Sequence, residues 1–129
     1  MRSAALIPPL LLAACSTQDA LAVTATGAPV YDGAETNWLD EDLVQFTARV
    51  SGTETPQAAL DYVKCVAART ASGRGYGFAR QIRTNVDEKG GVWTADAVYT
   101  ISPSLPRGLE TIDAEVTVES CVENGIPLV

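Results

Sequence analysis

The sequence of 129 residues contains no histidine, and its only lysines are Lys64 and Lys89. The absence of histidine excludes Ser-His-Asp and Cys-His nucleophile systems, zinc sites with histidine ligands and the commonest general base near neutral pH. We expect one lysine on the wet face of a helix and the other in a hairpin loop, so neither is expected to be desolvated. Lysine and carboxylate chemistry stay open in principle, but we predict no catalytic residue and no cofactor.

Long apolar runs and positive charge are also scarce. The N-terminal apolar run is interrupted by Pro8 and Pro9, and no other stretch approaches the about 20 apolar residues that a transmembrane helix needs. The formal net charge of −7 argues against sequence-independent binding of nucleic acid. Because hydrophobic residues make up 47% of the chain, we expect a globular domain with a modest core.

The N-terminus carries the most specific motif of the chain. A single cation, Arg2, precedes an apolar run from Ala4 that ends in Leu12-Ala13-Ala14-Cys15. A basic start, a short apolar core and small residues before a cut characterise a secretory signal. The tetrapeptide resembles the lipobox of bacterial lipoprotein precursors, in which the cysteine thiol receives a diacylglyceryl group. Two interpretations compete with it: a conventional signal cut at an Ala-x-Ala-like site, and an N-terminal buried strand.

The resemblance implies a signal peptide over residues 1–14, lipidation of Cys15, and attachment to a membrane of the bacterial cell envelope without crossing it. In that family an aspartate after the cysteine favours the inner membrane, whereas this chain has Ser16. We therefore expect the outer membrane, facing the periplasm. In outline the chain resembles small periplasm-facing lipoproteins with a lipobox, a short tether and a one-helix antiparallel domain.

The three cysteines fit this interpretation. If Cys15 takes lipid, Cys65 and Cys121 remain as an even pair in an oxidising compartment, where disulfides persist. A bond between them would close a loop of roughly 56 residues and stabilise the fold by about 4 kcal/mol. Two free buried thiols, or a metal pair that lacks other soft ligands, are the alternatives.

We divide the mature chain into a tether and one domain. Residues 15–40 are rich in Ala, Thr, Gly, Asp and Glu without a sustained period, so we predict a lipidated N-terminus and a tether there. Residues 41–129 are predicted to form a single α+β domain. The cluster Asp40-Glu41-Asp42 lacks the spaced oxygen ligands and the glycine of an EF-hand, and we interpret it as a solvated charge run without a metal.

Alternation of apolar and polar residues predicts four strands, and such alternation favours an antiparallel sheet with one covered face. The strands are Leu43–Ser51, Tyr76–Thr84, Val92–Ser102 and Leu109–Ser120. In the last strand the residues expected to point inward are Ile112, Ala114, Val116 and Val118. The predicted fold class is α+β in the order β-α-β-β-β, with one helix packed on a four-stranded antiparallel sheet.

The helix is predicted from Pro56 to Ser72, with the Thr55 hydroxyl as its N-cap. Cys65 lies nearly opposite the middle of the apolar stripe of this helix. A bond to Cys121 would therefore bring the C-terminal segment to the helix flank that the sheet does not cover. The stripe consists of Ala59, Leu60, Val63, Val66, Ala67 and Thr70.

Carboxylates on the last strand are the candidate catalytic groups. Asp113, Glu115 and Glu119 would share one wet face at about 6–7 Å per two-residue step. That spacing is compatible with a carboxylate pair for glycoside cleavage. Every alternating wet strand passes the same test, so we interpret these residues as solvated.

Arg69, Arg74, Arg80 and Arg83 form a basic segment that contains no acid. One interpretation is structural: Arg69 complements the helix dipole, and the others pair with the acidic strand face. The functional interpretation is that Arg74, Arg80 and Arg83 contact an anionic envelope component, such as a lipid headgroup, a cell-wall polymer or an acidic protein.

Taken together, these features predict an outer-membrane lipoprotein whose periplasmic domain binds an envelope protein or polymer without catalysis. A small hydrolase that uses carboxylate or lysine chemistry is one alternative. A periplasmic inhibitor or accessory subunit is another, and it would show an exposed apolar patch rimmed by polar residues.

Overall fold

The computed structural model describes residues 28–108 and 110–129, which form an α+β fold. The strands are Val30–Trp38 (β1), Leu43–Ser51 (β2), Phe78–Lys89 (β3), Val92–Ser102 (β4) and Thr111–Asp113 (β5), and the helices are Gln57–Gly73 (α1) and Ala114–Glu123 (α2). All neighbouring strands are antiparallel, in the sheet order β1-β2-β4-β3-β5. The predicted class and the antiparallel sheet are confirmed, whereas the described residues contain one strand and one helix more than predicted.

The two central strands follow the alternation closely. β2 and β4 begin and end at the predicted residues and pair along the whole length of β2, with Phe46 opposite Ala97. Their inward side chains form the core beneath α1, whereas their outward side chains are mostly polar. Alternation predicts these strands well because one face of the sheet is covered and the other is wet. The buried inward residues are Val44, Phe46, Ala48, Val50, Ala95, Ala97, Tyr99 and Ile101.

α1 lies one residue later than predicted. Its N-cap is Pro56, which has no side-chain donor or acceptor, so the prediction that Thr55 caps the helix is wrong. The buried face of α1 is wider than the predicted stripe because the sheet covers one side and α2 packs against another. Tyr62 and Cys65 are therefore buried, whereas Leu60 is only half-buried.

β1 replaces the end of the predicted tether. Residues 30–38 form an edge strand that pairs with β2, so the tether prediction is wrong for these residues. A register shift between Tyr31 and Gly33 marks a bulge, and most side chains of β1 are exposed. Because β1 contains a bulge and is exposed on both faces, its sequence lacks the alternation of apolar and polar residues by which strands are recognised.

The predicted strand Leu109–Ser120 is wrong beyond Asp113. The Oδ1 atom of Asp113 accepts a hydrogen bond of 3.1 Å from the backbone N of Val116, and this N-cap begins α2. Valine and threonine favour strands, but the cap and the packing against α1 override that preference here. Val116 is consequently exposed rather than inward, and the buried residues of α2 are Ala114 and Cys121.

Candidate functional site

Cys65 on α1 and Cys121 on α2 form a disulfide-bonded pair, which we call the cystine. Their Sγ atoms are 2.05 Å apart and their Cα atoms 6.0 Å apart. Both residues are buried. The cystine lies between the two helices, away from the sheet. The position of Cys65 on its helix leads us to expect the C-terminal segment at this flank.

A groove of about 560 Å³ adjoins the cystine, between α1, α2 and the start of β1. Its charged side chains are Asp61 and Lys64, and Gln57 donates from Nε2 to Oδ1 of Asp61 at 2.8 Å. Burial, and to a smaller degree the charge of Asp61, raise the pKa of Tyr31 at one end of the groove. The hydroxyl of Tyr31 is protonated near neutral pH and can donate or accept a hydrogen bond in the groove.

The C-terminal residues pack beside this groove. Tyr62 donates its hydroxyl hydrogen bond to the backbone O of Val129 at 2.8 Å, and its ring meets that of Tyr31 edge to face at 5.1 Å. Burial, with a smaller effect from Tyr31, raises the pKa of Tyr62. Ile126 packs against the core. These contacts attach the C-terminal residues to the core, and we assign them a structural role.

The sheet face that points away from α1, which we call the open face, carries a row of polar side chains across four strands. Asn37 on β1 donates from Nδ2 to Oε1 of Gln45 on β2 at 3.3 Å. Gln45 donates from Nε2 to the carboxylate of Asp96 on β4, with distances of 3.0 and 3.1 Å. The same carboxylate lies 3.7 Å from the guanidinium of Arg83 on β3. Sequence reasoning missed this row because only the strand register brings the four residues together.

A β-bulge places Arg80 and Arg83 together on the open face. Gln81 pairs with Tyr99 and Arg83 pairs with Val98, so Ile82 is an extra residue in β3. In a regular strand, residues three apart point to opposite faces. Because the bulge inserts one residue between them, the two arginines point to the same face. The extra residue, Ile82, is 48% exposed.

Arg80 lies in a corner with incomplete hydrogen bonding. Its Nε atom is buried without a hydrogen-bond partner, as is Oγ1 of Thr111, its register partner on β5. Gly108, with φ of +117°, approaches so closely that a Cβ there would lie 2.7 Å from Nε. Most buried polar atoms have partners, so two unsatisfied groups side by side are notable. A guanidinium beside a hydroxyl can receive an anionic group.

The structure does not bring Arg74 to Arg80 and Arg83. The guanidinium carbon of Arg74 lies 3.9 Å from the ring centre of Trp38. Trp38 pairs with Val44, whose side chain faces the core, so Arg74 lies on the helix side of the sheet. A contact for an anionic partner can therefore include Arg80 and Arg83 on one face, but not all three arginines.

The candidate carboxylates do not share a strand face. Asp113 caps α2, and Glu115 and Glu119 belong to that helix, so the expected wet strand is wrong and with it the pairing of the arginines to it. Arg83 forms an ion pair with Asp96 instead. Within the described ranges, no group of three or more His, Cys, Asp or Glu residues could hold a metal ion.

The predicted signal peptide 1–14, the lipidation site Cys15 and the start of the tether lie outside the described residues. Over residues 28–108 and 110–129, neither helix is long and apolar enough to cross a membrane.

Comparison with known proteins places these features in a family. The family described as the YNQ4 C-terminal domain matches residues 31–125. A protein of Paracoccus denitrificans, described as an uncharacterized 26.9 kDa protein in the nqo8 5′ region, is 33% identical over 101 residues. That match covers 78% of this chain but only 40% of the relative. No solved structure matches significantly.

Proposed function

The chain belongs to the YNQ4 C-terminal domain family, and we propose that it is an exported, lipid-anchored, non-enzymatic binding module of the bacterial envelope. The observation that carries the proposal is the pairing of Cys65 with Cys121. Disulfides persist in oxidising compartments outside the cytosol, which fits an exported protein. The pairing also leaves Cys15, in its lipobox context, as the remaining cysteine.

The anchor we propose is a set of acyl chains on Cys15 after removal of residues 1–14. Each buried methylene contributes about 0.8 kcal/mol, so two or three chains hold a protein stably on a bilayer whereas one holds it only marginally. Ser16 in place of aspartate favours the outer membrane, with the domain facing the periplasm.

The binding surface we propose is the Arg80 corner of the open face. The bulge supports it, because it places the side chains of Arg80 and Arg83 on one face and a guanidinium binds an anionic group through charge-assisted hydrogen bonds. Arg83 lies on the same face, but its guanidinium is shared with Asp96, so its contribution should be smaller. The partner is an anionic protein or polymer of the envelope. No observation on the described residues favours the small hydrolase or the periplasmic inhibitor as a second candidate.

The anchor is tested by growing a bacterium that expresses the full chain with an alkyne analogue of palmitate. We expect the label to enter the protein and to be absent from C15A, while C65A is still labelled. Mass spectrometry of the purified mature N-terminus should find Cys15 as the first residue, carrying lipid. An unlabelled wild-type chain, or a free thiol at Cys15, would overturn the anchor.

The binding surface is tested by crosslinking in intact cells, followed by purification of the chain from membranes. R80Q should recover several-fold less crosslinked envelope material than the wild type, and R83Q should show a smaller loss. R69Q is the matched control, because Arg69 is an exposed arginine of α1 outside the open face. Equal recovery by R80Q and R69Q would remove Arg80 from the proposal.

A further inference from the structure

The outer edge of β3 is only partly paired. β5 covers Phe78–Arg80, and the backbone N of Gln81 donates to the O of Glu110 at 2.9 Å. In the part of the chain that the structure describes, no strand pairs with this edge from Arg83 to Lys89. An open strand edge presents unpaired N–H and C=O groups to another chain. We call residues 83–89 the free edge.

The bulge determines which backbone groups of the free edge point outward. Gln81 directs its N–H outward, and in an antiparallel strand every second residue does so. The extra residue Ile82 shifts this alternation by one position. The outward-pointing residues are therefore Thr84, Val86 and Glu88, which leaves Arg83, Asn85 and Asp87 with their backbone groups turned towards β4.

We propose that the free edge pairs with the free edge of a second copy of this chain, antiparallel, about a two-fold axis at Asn85. In this register Thr84 of each copy lies opposite Val86 of the other copy. Because both residues direct their backbone N–H and C=O groups outward, each such pair exchanges two backbone hydrogen bonds. Arg83 of each copy lies opposite Asp87 of the other. Both side chains are on the open face, because they pair with Val98 and Thr94 of β4, so two symmetric ion pairs form.

Charge complementarity selects this register. Outward residues must face outward residues, so the neighbouring two-fold registers are centred on Val86 or Thr84. The register on Val86 would set Arg83 opposite Lys89, which is a repulsive pair. The register on Thr84 would set Arg83 opposite Asn85 and leave Asp87 without a basic partner. The register on Asn85 places an acid opposite a base on both sides of the axis.

A cysteine at position 85 tests the axis, because there each copy meets its own residue. Opposite residues whose backbones are not hydrogen-bonded to each other have Cα atoms about 4.5 Å apart, within disulfide range. The full chain carrying N85C should form a disulfide-linked dimer on mild oxidation, at least tenfold above the unaltered chain, which controls for the native cysteines. D32C, an exposed position on the opposite edge of the sheet, is the matched control. A yield for N85C no higher than for D32C would overturn the proposal.

A charge exchange tests the register within the N85C chain. R83E or D87R alone should lower the dimer yield about tenfold, because each turns two attractive pairs into repulsive ones. The double variant R83E/D87R should restore most of the yield. Because Arg83 also contacts Asp96, circular dichroism must show that each variant folds. If folded single variants dimerise as well as N85C alone, or if the double variant fails to recover, the register is wrong.

Discussion

The two helices in the described part of the chain are held to the domain in different ways. α1 buries eight residues between the sheet and α2, and four of them are alanines. α2 buries only Ala114 and Cys121, and Cys121 is half of the cystine. Hydrophobic packing therefore holds α1, whereas a cap, a short stretch of β5 and one covalent bond hold α2.

Small side chains make the close packing of α1 possible. Nine of the twenty buried apolar residues among those described are alanines, and they occur on both α1 and the sheet. Alanine adds little apolar area, but it lets a helix approach a sheet closely and loses no side-chain entropy on folding. The contrast shows that a small domain can combine a close-packed centre with a covalently attached outer layer.

Removal of the cystine should have the largest effect and should fall mainly on α2. The chain-entropy argument gives a loss of about 4 kcal/mol in the free energy of unfolding for C65S/C121S. Urea denaturation measures this loss, and hydrogen exchange should show faster exchange in α2 than in α1. If hydrogen exchange became faster to the same degree in both helices, the proposed difference in how they are held would be contradicted.

A cavity under α1 should cost nearly as much, whereas truncating an exposed side chain of α2 to alanine should cost almost nothing. F46A removes a fully buried ring from the core and should lower the free energy of unfolding by at least about 3 kcal/mol. V116A, whose side chain is 61% exposed, is the control and should change it by less than about 0.5 kcal/mol. Similar losses in the two variants would show that α2 is packed more like α1 than its burial indicates.

Alkaline pH should weaken the α1 side of the core through Tyr99. Burial, with a smaller effect from Glu110, raises the pKa of Tyr99 to about 12, above its usual value of 10. The folded state therefore binds the phenolic proton more tightly, so this stabilisation is complete below pH 10 and is lost as the pH rises towards 12. The loss should be about 2–3 kcal/mol.

The variant Y99F isolates this effect. Unfolding followed by urea at pH 8 and at rising pH should show a flatter decline for Y99F than for the wild type. A residual decline is expected, because burial also raises the pKa of Tyr31 and Tyr62. Identical pH profiles for the two proteins would remove Tyr99 as the cause.

The smallest effect concerns the exposed end of α1. R74A removes the guanidinium that lies 3.9 Å from the ring centre of Trp38 and should cost about 0.5–1 kcal/mol. R69A, an exposed arginine one turn earlier, is the matched control. A shift in Trp fluorescence in R74A but not in R69A would support the contact, and equal stability of the two variants would contradict it.

The central part of the fold could be predicted from the sequence, and its edges could not. β2 and β4 alternate strictly because they lie in the middle of a sheet with one covered face. β1 does not, because an edge strand with a bulge need bury only a few side chains. In α2, the alternation of valine with polar residues imitates a strand. The residues at its two ends indicate a helix instead: Asp113 is the N-cap, and Asn124 is followed by Gly125 at positive φ.

The candidate site was predictable only in part. Counting cysteines leads to the pair Cys65 and Cys121, because two of three remain once one is assigned to lipid. The shared face of Arg80 and Arg83 could not be deduced, since it depends on a bulge that no local signal at Ile82 marks. The ion pair of Arg83 with Asp96 joins strands whose pairing is set by the whole topology.

The cystine also makes a closed ring of the chain between positions 65 and 121, and the hairpin at Gly90-Gly91 lies inside that ring. A single proteolytic cut in the hairpin would leave one molecule, whose two pieces separate on a gel only after treatment with a thiol. A cut between Leu39 and Asp42, outside the ring, would leave the first strand attached by non-covalent contacts alone. A protease cut at the hairpin would thus leave the domain in one covalent piece, whereas a cut at the turn after the first strand would not.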